Sequence, residues 1–128
     1  MELRQVLRGI DWTGEFGPAD IEVTGIVCDS RKVRRGSLFV CIRGYTTDGH
    51  LFAAQAAGQG AAALVVDHPV KEVLIPQCVV GDTRAALAAA SRNFYLDPCG
   101  RISVTGVTGT AGKTSVSFLF RHLMEAAG

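Results

Sequence analysis

The residues best equipped for chemistry are Gly109-Thr110-Ala111-Gly112-Lys113-Thr114-Ser115, a turn of small side chains that ends in a lysine and two hydroxyls. Small residues let backbone N–H groups point inward, and the positive end of a following helix attracts phosphate. Gly109 and Gly112 allow a close approach that a Cβ would block. Lys113 would reach the terminal phosphates of a nucleotide. The Thr114 hydroxyl would join Mg2+, a hard cation that takes oxygen ligands, with Ser115 beside it. The strict spacing G-x-x-x-x-G-K-[ST] fails, because Val107 stands five residues before Gly112 and Gly106 is one residue too far upstream. A glycine-rich strand-to-helix turn without a ligand therefore stands beside the phosphate cradle as a reading.

Such a loop needs a strand to feed it and a helix to follow it. Arg101 to Val104 is an apolar run suited to the strand. Val116, Leu119, Phe120, Leu123, Met124 and Ala127 repeat at helical spacing and predict an apolar stripe on the helix. Two loops upstream also carry chemistry. Asp29-Ser30-Arg31 follows a strand-like run and offers an acceptor, a hydroxyl and a guanidinium; an ordinary turn would use the same residues. Gly44-Tyr45-Thr46-Thr47-Asp48-Gly49-His50 adds hydroxyls and a ring able to stack on a base, and reads equally well as a tight turn with a helix cap.

Between them the chain alternates helices and strands, the pattern of an α/β fold. Leu3, Val6, Leu7 and Ile10 predict a short helix, and a polar loop runs on through Asp20. Strands are expected at Ile21 to Cys28, Leu38 to Ile42, Ala63 to Val66 and Gln77 to Val80. Helices are expected from Leu51 to Gln59 and, capped by Asp82, from Thr83 to about Tyr95. Leu96-Asp97-Pro98-Cys99-Gly100 has the breakers of a connector. It divides an α/β domain over 1–100 from a strand, loop and helix over 101–128 that cannot make a sheet alone, the opening of a truncated second domain.

Thirteen basic against twelve acidic residues leave a net charge of +1. No basic block is present, so nucleic acid and anionic membrane are poor partners. No run approaches the roughly 18 apolar residues of a membrane span, and the start has no apolar signal core, so a cytoplasmic protein is expected. Cys28, Cys41, Cys78 and Cys99 are widely spaced and read as buried free thiols. Nothing in their spacing joins them with His50, His68 or His122 in a zinc site.

The ordered set of Asp29-Ser30-Arg31, Gly36-Ser37-Leu38-Phe39-Val40, Gly44-Tyr45-Thr46-Thr47-Asp48-Gly49-His50, Gly60-Ala61-Ala62-Ala63, Phe94-Tyr95 with Pro98, and Val107 to Thr114 resembles the Mur ligases. It is most similar to the MurE type, which joins a diamino acid to UDP-N-acetylmuramoyl-L-alanyl-D-glutamate in cytoplasmic peptidoglycan synthesis. The resemblance covers almost the whole chain, and the family's own phosphate loop has the longer glycine spacing. Ala111 departs from it, since the family usually has Asn there.

The resemblance implies that Ser30, Tyr45, Thr46 and Thr47 contact the UDP portion, with Cys28 beside it. Gly109 to Ser115 would hold ATP, with Lys113 as the catalytic cation and Thr114 on Mg2+. The implied reaction phosphorylates the dipeptide's terminal carboxylate, after which the incoming amine displaces phosphate to form an amide. The remaining metal ligands and the residues that select the amino acid would lie beyond Gly128, so the chain by itself is expected to be an inactive N-terminal piece. Three other readings stay open: a non-catalytic UDP-sugar-peptide binding module, a MurF-type ligase, and an unrelated P-loop kinase or NTPase.

Overall fold

A computed structural model describes residues 1–14 and 21–128. The part of the expected polar loop at 15–20 lies outside the described residues. The chain divides into two compact units, Met1–Pro98 and Cys99–Gly128.

The first unit is built on a five-stranded sheet in the order β1-β5-β4-β3-β2. Its strands are β1 (Trp12–Thr13), β2 (Gly25–Val27), β3 (Ser37–Val40), β4 (Ala63–Val66) and β5 (Gln77–Val80). The four from β2 to β5 are parallel, and β1 joins β5 antiparallel through Trp12 opposite Val80. Parallel strands are covered on both faces, which is why every residue of β3 and β4 is buried and all but Ser37 are apolar. Alternation then sorts their side chains. Leu38, Val40, Ala63 and Val65 face one core with Leu3, Val6 and Leu7; Phe39, Cys41, Leu64 and Val66 face the other with Ala53 and Ala56.

Helix α1 (Leu3–Val6) and helix α3 (Thr83–Phe94) cover the first face; α2 (Ala53–Gly58) covers the second. Asn93 ties α3 to the end of α1, its side-chain amide donating to the carbonyls of Val6 (2.9 Å) and Arg8 (2.8 Å). Asp82 caps α3 by accepting from the backbone N–H of Arg84 (2.8 Å) and Ala85 (3.1 Å). Gln77 holds the loop before β5 by accepting from Val70 N–H (2.8 Å) and donating to the carbonyls of Val70 and Val73.

Several expectations are corrected. The first helix stops at Val6, with Gly9 turning the chain at φ 76°. The expected strand from Ile21 keeps only Gly25–Val27 in the sheet, and its start instead exchanges hydrogen bonds with the N-terminus, Leu3 N–H to Ile21 O and Val23 N–H to Met1 O, each 2.8 Å. Leu51 and Phe52 belong to a 3-10 turn, Gly49–Phe52, that leads into α2. Trp12–Thr13, read as loop, is a strand.

The second unit holds helix α4 (Lys113–Ala127). Arg101 to Val104 do not form the expected strand, because a strand is made by its ladder and no described segment pairs with them. The apolar stripe of α4 is present but unburied, with Val116, Leu119, Phe120, Leu123 and Met124 all exposed.

Candidate functional site

Two sites emerge, one in each unit. The first is a cleft of about 440 Å³ lined by Cys28, Asp29, Ser30, Arg31, Ile42, Thr47, Gly49, Phe52 and Gln55. It lies beyond the carboxyl ends of β2 and β3, where open parallel sheets place their ligands.

Its walls are fixed by local chemistry. Asp29, two residues past the end of β2, accepts from the Arg31 backbone N–H (3.0 Å), starting a single 3-10 turn over Ser30–Lys32. The Arg31 guanidinium grips the same carboxylate through Nε (2.9 Å) and Nη2 (2.8 Å). These bonds, the side-chain pair first, hold the Asp29 carboxyl down at about 2 and raise Arg31 in turn. Ser30, between them, is buried.

The opposite wall is the 43–50 loop. Its ends are pinned by Gly49 N–H to Ile42 O (2.9 Å) and Gly44 N–H to Thr47 O (2.9 Å). A Cβ on Gly49 would stand 2.7 Å from Ile42 N and 2.8 Å from Ile42 O, so this strand-to-loop contact requires glycine. Asp48 organises the loop further, accepting from the His50 backbone N–H (3.0 Å) and Nδ1 (2.6 Å) and from Arg43 Nε (3.2 Å). The backbone bond and then the ring hold its carboxyl at about 2.

Of the five residues assigned to the UDP site, the structure brings Cys28, Ser30 and Thr47 to the cleft. Tyr45 and Thr46 sit on the same loop but are not among its lining residues, and Tyr45 is fully exposed. Phe52 and Gln55 line the cleft from the turn before α2 and from α2 itself. Sequence reasoning missed them because an Ala-rich helix start shows no sign of which face meets a loop 25 residues away.

Cys28 corrects the expectation of buried thiols, since it is exposed at the cleft. Cys41 and Cys78 are buried as expected, and burial pushes each thiol up to about 12.

The second site is the turn before α4. Gly109 at φ 150° and Gly112 at φ 76° occupy backbone regions that side chains rarely adopt, and Gly112 stands at the N-cap with no side chain satisfying the helix start. Lys113 folds back over the turn, its Nζ donating to Gly109 O at 2.6 Å. Thr110, Ala111, Thr114 and Ser115 are exposed around it. The arrangement fits phosphate: free N–H groups, a cation above them, and the Thr114 hydroxyl in the first turn as a hard ligand for Mg2+.

The mostly parallel α/β sheet with a cleft at the carboxyl ends of its strands defines the class, and comparison with known proteins then names the family. The Mur ligase family, catalytic domain, matches residues 22–95, more than half of the chain. The 2,6-diaminopimelate-adding UDP-N-acetylmuramoyl-L-alanyl-D-glutamate ligase of Bacillus cereus is 48% identical over 107 residues, which cover 84% of this chain and 22% of the relative. The ligase of the same name from Syntrophomonas wolfei is 40% identical over 132 residues, covering 100% of this chain and 26% of the relative. Among solved structures, the UDP-N-acetylmuramoylalanyl-D-glutamyl-2,6-diaminopimelate--D-alanyl-D-alanyl ligase of Acinetobacter baumannii matches with a TM-score of 0.69 at 27% identity, over 88% of this chain and 25% of that one.

The chain belongs to the Mur ligase family. It spans about a quarter of the length of the curated relatives it matches. An unrelated P-loop kinase is overturned as a reading, because the family match lies wholly upstream of Gly100. Among the described residues, no helix is long and apolar enough to cross a membrane.

Proposed function

We propose that this chain is the substrate-binding N-terminal part of an ATP-dependent amide ligase of the MurE type, acting in the cytoplasm on UDP-N-acetylmuramoyl-L-alanyl-D-glutamate and a diamino acid. The observation that carries this reading is the cleft at the carboxyl ends of β2 and β3, where the buried Ser30 faces the Thr47 loop. Residues 1–100 form the UDP-substrate domain, and residues 101–128 begin the ATP domain. Arg31 spends two of its five N–H groups on Asp29, leaving the others for the diphosphate of the substrate. Ser30 and Thr47 supply hydroxyls to the nucleotide, with Cys28 at the rim. Tyr45 and Thr46, on the same loop, would add to the contact with the uridine.

In the second unit Gly109 to Ser115 receive the ATP phosphates. Lys113 exchanges the Gly109 carbonyl for a phosphate oxygen, where its charge neutralises what develops during transfer. Thr114 would hold Mg2+, which supplies charge neutralisation between the phosphates. No base or nucleophile for this chemistry is identified among the described residues, and turnover would require the further length that the relatives possess. The MurF type is the second reading, favoured by the fold match to the A. baumannii ligase. The higher identity to MurE-type relatives weighs against it.

Adding UDP-N-acetylmuramoyl-dipeptide and ATP separately, with backbone amide shifts as readout, tests both assignments. The substrate should move Cys28 to Arg31 and Thr47 to Gly49. ATP should bind weakly at 109–115. Low-micromolar ATP affinity abolished by Lys113→Ala would show that the phosphate loop works without further chain.

A further inference from the structure

We propose that His50, Asp67 and His68 form a binding site for a divalent transition-metal ion such as Zn2+, at the carboxyl end of β4 and made of residues assigned to neither nucleotide. One ligand atom from each of the three lies within 4.8 Å of the others. His50 Nε2 stands 3.3 Å from Asp67 Oδ1. Two ligands each about 2.0 to 2.1 Å from a tetrahedral zinc are separated by roughly 3.3 Å, so this pair already has the spacing of a zinc edge.

The surroundings set up the ligands. His50 is buried, and its Nδ1 donates to Asp48 at 2.6 Å. That bond fixes the tautomer that leaves the Nε2 lone pair facing Asp67, as a carboxylate does behind a metal-bound imidazole. The lone pair now accepts only a long bond, 3.2 Å from the Asp67 backbone N–H. Asp67 is half-buried, so water can take over that N–H when a metal replaces it. The second carboxylate oxygen of Asp67 faces Arg43 Nη2 at 3.9 Å, which leaves Oδ1 turned toward the two imidazoles.

His68 supplies the third ligand. Its ring stacks on His50 with centroids 4.4 Å apart, and its Nδ1 contacts Asp67 Oδ1. A hydrogen-bond network explains the buried His50 without His68, whose side chain is 53% exposed and is brought here with little burial to gain. An ion would take the place of the contact between His68 Nδ1 and Asp67. The adjoining cavity of about 290 Å³, lined also by Leu51, Val70 and Glu72, gives an entry path and room for water at an open coordination position. Occupancy would tie the 43–50 loop to β4 and so steady Thr47 and Gly49 at the substrate cleft.

The test uses the full chain stripped with a chelator. Zn2+ is titrated by calorimetry and Co2+ is followed by visible absorption. One Zn2+ per chain and the intense Co2+ band of a four-coordinate site are expected. His68→Ala and Asp67→Asn, both at partly exposed positions and checked for folding by circular dichroism, should each weaken binding about tenfold or more, while His122→Ala leaves it unchanged. Absence of stoichiometric Zn2+ binding overturns the proposal. So does affinity retained in both His68→Ala and Asp67→Asn, or lost in His122→Ala.

Discussion

Asp29 and Arg31 show how a short turn becomes a binding wall. Their paired hydrogen bonds fix the guanidinium in place and expose the rest of its fork to the cleft. The same bonds make a pH prediction. A carboxylate whose folded value is depressed stabilises the fold above its unfolded value, and that contribution is lost as pH falls through the folded value. Asp29 and Asp48 both sit at about 2, against an ordinary 3.8. Stability should therefore decline between pH 3.8 and about 2, and carboxyl NMR should show the Asp29 midpoint rising toward 3.8 in Arg31→Ala. Thiol chemistry divides the cysteines in a similar way. A maleimide at pH 8 should label Cys28 ahead of Cys41 and Cys78, read by peptide mass spectrometry, because the latter two are buried and held protonated. Ser30→Ala should weaken UDP-substrate binding about tenfold, the loss of roughly 1.4 kcal/mol from one hydrogen bond to a charged or strongly polar group.

Elements place these residues, and some are legible in the sequence itself. Leu38 to Ile42 is apolar on both parities, which signals a strand covered on both faces, and Asp82 before an Ala-rich run signals a capped helix. Asp82→Ala should cost about 1 kcal/mol by chemical denaturation, since two N–H groups of α3 lose their acceptor. Gly49→Ala should cost about 0.5 to 3 kcal/mol and open the cleft, because its Cβ cannot coexist with the Ile42 backbone. Other elements could not be read locally. Trp12–Thr13 is a strand only because Val79 and Val80 offer it an edge, and Arg101 to Val104 has strand-like residues without an edge to join. His50 meets Asp67 and His68 only because β4 delivers them, so no spacing in the sequence announces that cluster.

At the scale of the whole molecule, the chain joins a sheet that carries its own cleft to a glycine-rich turn whose helix keeps its apolar stripe exposed. The family motifs were legible because the loops at 29–31, 44–50 and 107–114 follow one another in a fixed order, each with its own run of glycines, hydroxyls and charged groups. What they do not reveal is which loop residues turn inward: Thr47 lines the cleft and its neighbours Tyr45 and Thr46 do not. If the proposed function holds, the first unit binds the UDP substrate without help from the 109–115 turn. The most direct measurement is a titration of UDP-N-acetylmuramoyl-L-alanyl-D-glutamate into isotope-labelled chain, with every backbone amide followed. Saturable shifts at Cys28 to Arg31 and Thr47 to Gly49, with 109–115 unmoved, are the predicted result; shifts confined to 109–115, or none at the cleft, would contradict it.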